Sequence, residues 1–435
     1  MYELLVGAIL LLIFVFFVYL VMKGYPLNVV ILLLVLLWAV AVLMPPTDFL
    51  GAIENGATKY ATLIVYLVMG VWFGRLLSET GIVETTIRYA AEWAGDRRVL
   101  ATLLVCAACT FLATAMPGGA PTAISLGVIA LPILFQLEIP KDIAITLFMG
   151  SLGAGWFISP AVAVPYSAFF GGTQVINFSK AFPYLFVGLI VYLAIVWLFA
   201  IIYLTKYRVR GATNISSGKE TLEKRRAPWY SLFSPVLLVV LIMVFKVPVV
   251  PAFLIAIVYA LLTSGRRSIK EHLDILNRSL LKGIDDGATL IGLWITVGIL
   301  IVISQTPSVS NAIGAVFSLV FPTNPWLLAL LLAIIGPIAM IYRGPLELIG
   351  AGAAFYTLLY QSKIFNPYLL YILALVTDKI SGSMDPTSSG VLWCWTTNNV
   401  PQKAFLKRAL PMGYLMNAVN MFLLTYLFTL QIWPV

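Results

Sequence analysis

The chain has 435 residues, 61% of them hydrophobic and only 10% charged, and its mean hydropathy is +1.00. That composition excludes a soluble globular protein, and apolar stretches of ~20 residues along most of the length leave no room for a separate soluble domain. No glycine-rich phosphate loop ending in Lys-Ser or Lys-Thr occurs, which argues against an ATP-driven pump, and the net charge of +9 sits in short loops, where it reports topology rather than nucleic-acid binding.

In chain order, apolar spans are expected at 3–22, 26–44 and 59–77. The first lacks a basic leader and a small-residue cleavage site and reads as a retained span. Residues 84–98, with Glu84, Arg88, Glu92 and Asp96 among Ile87, Ala91 and Trp93, look amphipathic and interfacial. Residues 99–136 are apolar but interrupted by Met116-Pro117-Gly118-Gly119-Ala120-Pro121, the pattern of a re-entrant hairpin whose tip lines a cavity. Residues 142–170 carry Ser151-Leu152-Gly153-Ala154-Gly155 and then Ser159-Pro160, and read as a span unwound in its middle. A span at 181–205 and a polar, basic linker at 206–229 follow. Spans recur at 230–246, 248–264 and 288–306. A second interrupted hairpin at 326–360 has Tyr342-Arg343-Gly344-Pro345 at its tip, and a second broken span at 368–395 holds Ser381-Gly382-Ser383-Met384-Asp385-Pro386. The last span is 409–431.

These features repeat. Gly51-Ala52-Ile53-Glu54-Asn55-Gly56-Ala57-Thr58 recurs as Lys282-Gly283-Ile284-Asp285-Asp286-Gly287-Ala288-Thr289 at an offset of 231 residues. Pro121 matches Pro345, and Pro160 matches Pro386. A hairpin and a broken helix at corresponding places in two halves point to a transporter binding site between them. The expected fold is therefore an all-α polytopic membrane protein, an inverted repeat of 5+5 transmembrane helices with two re-entrant hairpins and two broken helices. Residues 1–205 form the first repeat and 230–435 the second. With the linker 206–229 in the cytoplasm, twenty of the 27 basic residues fall inside and four, Lys59, Lys180, Lys246 and Lys363, outside. Both termini are then outside a multi-pass protein of the cell membrane.

Ionisable groups at membrane depth cost on the order of 3 kcal/mol each, so the few present are expected to pair, bind or move something. Arg343, Glu347, Asp378, Lys379 and Asp385 are those groups. One reading is packing glue, with Arg343 paired to Glu347 and Asp378 to its neighbour. The other is a site. Arg343 with the amides after Gly344 would cradle a carboxylate, and the first-half tip (Gly118, Gly119, Pro121, Thr122) with Ser151, Gly153 and Ser159 would hydrogen-bond hydroxyls. Ser381, Ser383 and Thr387 complete the substrate-binding candidates. Asp385, among hydroxyls, is the first candidate for the coupling ion, with Asp378 and Glu347 behind it. Arg75 is expected to snorkel or to pair with Glu79. Cys106, Cys109, Cys394 and the single His272 make neither a disulfide framework nor a metal site, and no cofactor is expected.

The run Leu77-Ser78-Glu79-Thr80-Gly81, the basic amphipathic stretch, Ala113-Thr114-Ala115-Met116-Pro117-Gly118-Gly119-Ala120-Pro121-Thr122-Ala123, Leu131-Pro132 and the Gly-rich 151–160 segment resemble the repeat unit of the ion transporter superfamily, closest to its gluconate permease-like members. The resemblance implies a homodimeric secondary transporter with a scaffold, a moving transport unit and elevator-type alternating access. Divalent-anion members carry Ser-Asn-Thr at each tip. Here Gly-Ala-Pro-Thr (119–122) and Arg-Gly-Pro-Leu (343–346) stand instead, which departs from that branch's sodium sites.

The expected function is proton-coupled symport of a small organic anion, a gluconate-like hydroxycarboxylate, with the lipid bilayer as surroundings and no nucleic-acid partner. A sodium-coupled carboxylate symporter or a sodium/proton antiporter of the same superfamily is the alternative. An intramembrane enzyme using Asp378 and Asp385 is remote, because neither sits in a Gly-x-Gly-Asp motif.

Overall fold

In the computed structural model the described residues are 2–23, 25–95, 97–206, 226–265, 268–320, 322–339, 346, 348 and 352–435. Every regular element among them is helical. In chain order they are α1 (Tyr2–Met22), α2 (Leu27–Ala41), α3 (Pro46–Lys59), α4 (Ala61–Glu79), α5 (Ile82–Ala94), α6 (Arg98–Ala113), α7 (Ala120–Gln136), α8 (Lys141–Trp156), α9 (Pro160–Tyr166) and α10 (Phe178–Lys206). Beyond the linker come α11 (Ser234–Met243), α12 (Val249–Thr263), α13 (Ile269–Ser304), α14 (Pro307–Val320), α15 (Pro325–Ala339), α16 (Gly352–Gln361), α17 (Pro367–Met384), α18 (Ser389–Thr397) and α19 (Gln402–Thr429).

The chain is an all-α polytopic membrane protein. Tyr2–Val21, Pro46–Glu79 and Phe178–Thr205 are each long and apolar enough to cross a bilayer. Two bent pairs, Lys141–Trp156 with Pro160–Phe170 and Ile269–Ala288 with Leu290–Ser304, raise the number to five if each is one span. Shorter apolar helices such as Leu27–Ala41 and Val249–Thr263 fill in between. At ~1.5 Å per residue the 15-residue helices reach only ~22 Å, less than the ~30 Å hydrocarbon core.

Two groups of helices can be distinguished by what they touch. In the first, α3 and α4 run antiparallel to α13, brought close by glycines at both ends of the contact. A Cβ on Gly56 would lie 2.4 Å from Ile299 Cα, and one on Gly283 would lie 3.0 Å from the Val71–Trp72 backbone. The Trp72 indole donates to Leu276 O at 3.2 Å and to Ser279 Oγ at 3.1 Å. The second group holds α6, α7, α8, α10, α15, α17, α18 and α19. There Gly155 packs on the Thr110 backbone, Gly153 packs on Ser383, and Asn417 donates to Leu332 O and Ala333 O.

Several boundaries differ from the sequence expectation, three of them in helices that line the cavity. The Ser151–Gly155 stretch is regular helix, and the break falls at 157–159. Likewise Ser381–Met384 is helical, and the second break falls at 385–388. The reason is shared. Glycines inside a helix are tolerated where a neighbour comes close, whereas a proline pushes the residue before it into extended backbone. Ser159 (ψ 117°) precedes Pro160, and Asp385 (ψ 119°) precedes Pro386. The third difference is α13, which starts at Ile269 rather than 288 and bends by 47° between Ala288 and Leu290.

Candidate functional site

The tip between α6 and α7 is shaped by its composition. Gly119 has φ +82°, a conformation open to glycine but strained for other residues, and Pro121 occupies the first turn of α7, where a missing N–H costs nothing. Thr122 donates its hydroxyl back to Pro117 O, and Ser159, at the first helix break, donates to Met116 O at 2.9 Å. The tip and the first break are thereby tied together. The second break meets the same tip: a Cβ on Gly390 would sit 3.2 Å from Gly119 O and 3.0 Å from Ala123 Cβ.

Around this junction lies a cavity of about 480 Å³. Gly118, Gly119, Ala120 and Pro121 of the tip form one wall, and Gly382, Ser388 and Ser389 of the second break form another. Asp378 and Lys379 of α17, Trp156, Val162 and Tyr166 of the first broken helix, and Asp286, Leu290 and Leu293 of α13 supply the rest, with Pro26, Leu27 and Asn28 at the start of α2. Three helices, α2, α7 and α18, begin at this cavity, so the positive ends of their dipoles and their first N–H groups are presented to it.

The charges in the lining are paired. Lys379 Nζ donates to Asp378 Oδ2 at 2.7 Å, with side-chain exposures of 1% and 7%. The ammonium lies 4.8 Å from the centroid of the Tyr166 ring, a cation–π contact, and the Leu348 amide donates to Asp378 Oδ1 at 3.0 Å. Asp286 is held in a two-pronged pair by Arg75, through Nε to Oδ2 and Nη2 to Oδ1, the latter at 2.7 Å. Arg75 thus finds its two-pronged partner in Asp286, while Glu79, whose charge also acts on Arg75, pairs with Lys282 at 2.8 Å and Arg278 at 3.4 Å. Sequence distance hid this: Arg75 and Asp286 are 211 residues apart and meet only because α4 packs on α13.

Of the residues singled out in the sequence, Gly118, Gly119, Pro121 and Asp378 line the cavity. The other described ones lie behind it. Ser151 donates to Leu147 O, Gly153 packs against Ser383, and Ser383 donates to Lys379 O while sharing a 2.7 Å hydrogen bond with Tyr192. Ser381 Oγ is buried without a hydrogen-bond partner among the described residues. Asp385, fully buried, accepts at Oδ1 from the Thr387 amide (2.7 Å) and hydroxyl (2.6 Å), so it and Thr387 shape the second break. Arg343, Gly344 and Glu347 lie outside the described residues. Asn28, Trp156, Tyr166, Asp286, Gly382, Ser388 and Ser389 were missed as site residues, and Lys379 was noticed only as a membrane charge. Only Asp286, inside the repeated motif, carried a signal that could have been used.

One polar atom at the cavity wall is unsatisfied. Trp156 is 2% exposed, and its indole N–H has no hydrogen-bond partner among the described residues. A buried donor without an acceptor costs about 1–3 kcal/mol, which a bound acceptor would recover.

With these features the fold is that of a polytopic membrane protein with a polar cavity at two helix breaks. It is similar to the solved structure of the Alcanivorax borkumensis YdaH transporter, with a TM-score of 0.60 over 89% of this chain and 88% of that one, at 14% sequence identity. At that identity the likeness concerns the fold. No protein-family model matches the sequence, and no curated protein matches it.

Proposed function

We propose that the protein is a secondary active transporter of a small organic anion, and that the cavity between the tip and the two broken helices is its substrate site. The observation that carries this reading is Lys379 in the cavity wall together with the starts of α2, α7 and α18. A buried ammonium and three helix N-termini favour a carboxylate, while Ser388, Ser389 and Asn28 offer hydrogen bonds to hydroxyls. A hydroxycarboxylate of gluconate type fits that set. Transport by an elevator-type movement of the second helix group against α3, α4 and α13 is supported by the position of the cavity, which draws lining residues from both groups. Protons are the proposed coupling ion, because carboxylates line the cavity and lie beside it.

Reconstitution tests this. Purified protein in liposomes should accumulate labelled gluconate when the outside is made acidic, without sodium, and preloaded unlabelled gluconate should drive counterflow. No uptake of gluconate, glycerate, lactate, succinate or citrate under any pH or sodium gradient would remove the anion reading, and a strict sodium requirement would remove the proton.

A further inference from the structure

Resting on the reading of the cavity as an anion site, we propose that Lys379 and Asp378 form an exchangeable pair that couples each anion to one proton. The incoming carboxylate takes the Lys379 ammonium, and Asp378, deprived of its counter-charge, takes up a proton.

The geometry supports a swap that needs no backbone motion. Asp378 and Lys379 are neighbours on α17, and successive side chains of a helix diverge by about 100°, so their 2.7 Å contact depends on rotamers turned toward each other. Both line the cavity and are nearly excluded from water. In such surroundings a change of net charge is costly. An anion arriving alone would leave one uncompensated negative charge beside a desolvated carboxylate, and neutralising that carboxylate avoids it.

The bookkeeping is simple. Before binding, Asp378 carries −1 and Lys379 +1. After binding, the anion carries −1, Lys379 remains +1, and Asp378 is a neutral acid whose proton came from water on the open side. No other bond forms or breaks, and the loaded site has the same net charge as the empty one. Uptake of a monocarboxylate is then electroneutral.

The groups facing the pair make Asp378 the acceptor. Asp286 also lines the cavity but keeps both oxygens on Arg75, which is not part of the cavity wall, so a bound anion does not strip its cation. Tyr166 faces Lys379 through its ring. Tyr192 hydrogen-bonds the Lys379 carbonyl, and Tyr356 hydrogen-bonds the Thr377 hydroxyl within electrostatic reach of Asp378. The Leu348 amide holds Asp378 Oδ1, so Oδ2, which Lys379 occupies before the anion arrives, is the oxygen that takes the proton. Asp385, at the end of α17, is engaged by Thr387.

Titration calorimetry of gluconate into purified wild-type protein, in buffers of different ionisation heat, counts the protons taken up on binding. The expected count is one, with the Kd weakening about tenfold per pH unit in the coupled range. Asp378→Asn should bind gluconate with no proton uptake and less than about a twofold change in Kd over the same range. Should that variant not fold, the infrared difference spectrum serves: gluconate should raise a protonated-carboxyl band in wild type that moves in Asp378→Glu. Gluconate binding without proton uptake in wild type, or full uptake retained in Asp378→Asn, or a band unmoved in Asp378→Glu, overturns the exchange and leaves the anion site standing. If gluconate, glycerate, lactate, succinate and citrate all fail to bind, the anion reading falls and the exchange with it.

Discussion

Arg75 and Asp286 show how far a membrane charge depends on its partner. Each is part-buried, with side-chain exposures of 25% and 17%, and together they make two hydrogen bonds across the α4–α13 contact. Removing either leaves the other desolvated, so Arg75→Ala and Asp286→Ala should each lower stability by about 1–3 kcal/mol, while the double variant should lose less than their sum. Melting temperatures in detergent for the four-protein cycle check this, and strict additivity would show that the pair contributes nothing beyond its separate side chains. The Trp156 indole is the second case at this scale. If its N–H is satisfied by bound anion, Trp156→Phe should keep the fold and weaken gluconate binding by about fivefold to tenfold, roughly one hydrogen bond. Equal affinity in the two proteins would place the indole outside the site.

At the scale of elements, the breaks and close approaches come from particular prolines and glycines. Pro386→Ala lifts the restriction on Asp385, letting α17 run on and drawing Thr387 and Ser388 out of the break. The variant should melt at the wild-type temperature or above it and should lose gluconate binding. Wild-type affinity would mean that the break does not need its proline. Gly56 and Gly51 make a paired test, one turn or so apart on α3. A methyl on Gly56 would collide with Ile299, whereas one on Gly51 meets nothing within 4 Å. Gly56→Ala should therefore cost about 1–3 kcal/mol by overpacking, while Gly51→Ala should be neutral or gain up to about 1 kcal/mol of helix propensity. Thermal unfolding of both variants decides it. The helix breaks were legible in the sequence because the proline effect is local. Their exact bounds were not, because Gly-rich segments are stable helix only when a neighbour such as Ser383 or Thr110 lies against them.

For the whole molecule, contacts gather the basic loops at one pole. Arg98 donates to Glu138 O, Lys141 to Asn398 O, and Arg408 pairs with Asp142, while Arg226 at the end of the linker pairs with Glu92. Elsewhere Lys59 donates to Gln305, and the Asn177 amide donates to the Tyr368 hydroxyl. From the positive-inside rule we propose that the first set faces the cytoplasm. A cysteine at Glu138 should resist an impermeant thiol reagent in intact cells and react after the membrane is opened, and a cysteine at Lys363 should react from outside. The reverse pattern would invert the proposed topology.

Composition and periodic apolar runs determined by themselves that this is an all-α membrane protein, because hydrocarbon forces backbone groups to satisfy one another within each helix. Local chemistry also marked the first tip and the two helix breaks, since Gly119, Pro160 and Pro386 act on the residues beside them. Sequence also offered Asp378 paired with its neighbour, which is the Lys379 contact seen here. What only the tertiary structure decided is which of these groups reach the cavity and which distant ones meet. Asp385 turned into its own loop, Asp378 and Lys379 came to the cavity wall, and Arg75 found Asp286 across 211 residues. The physical reason is that a charge inside a membrane is settled by whatever counter-charge or donor the packing brings within about 3 Å, and that neighbour is set by helix contacts that no local pattern encodes.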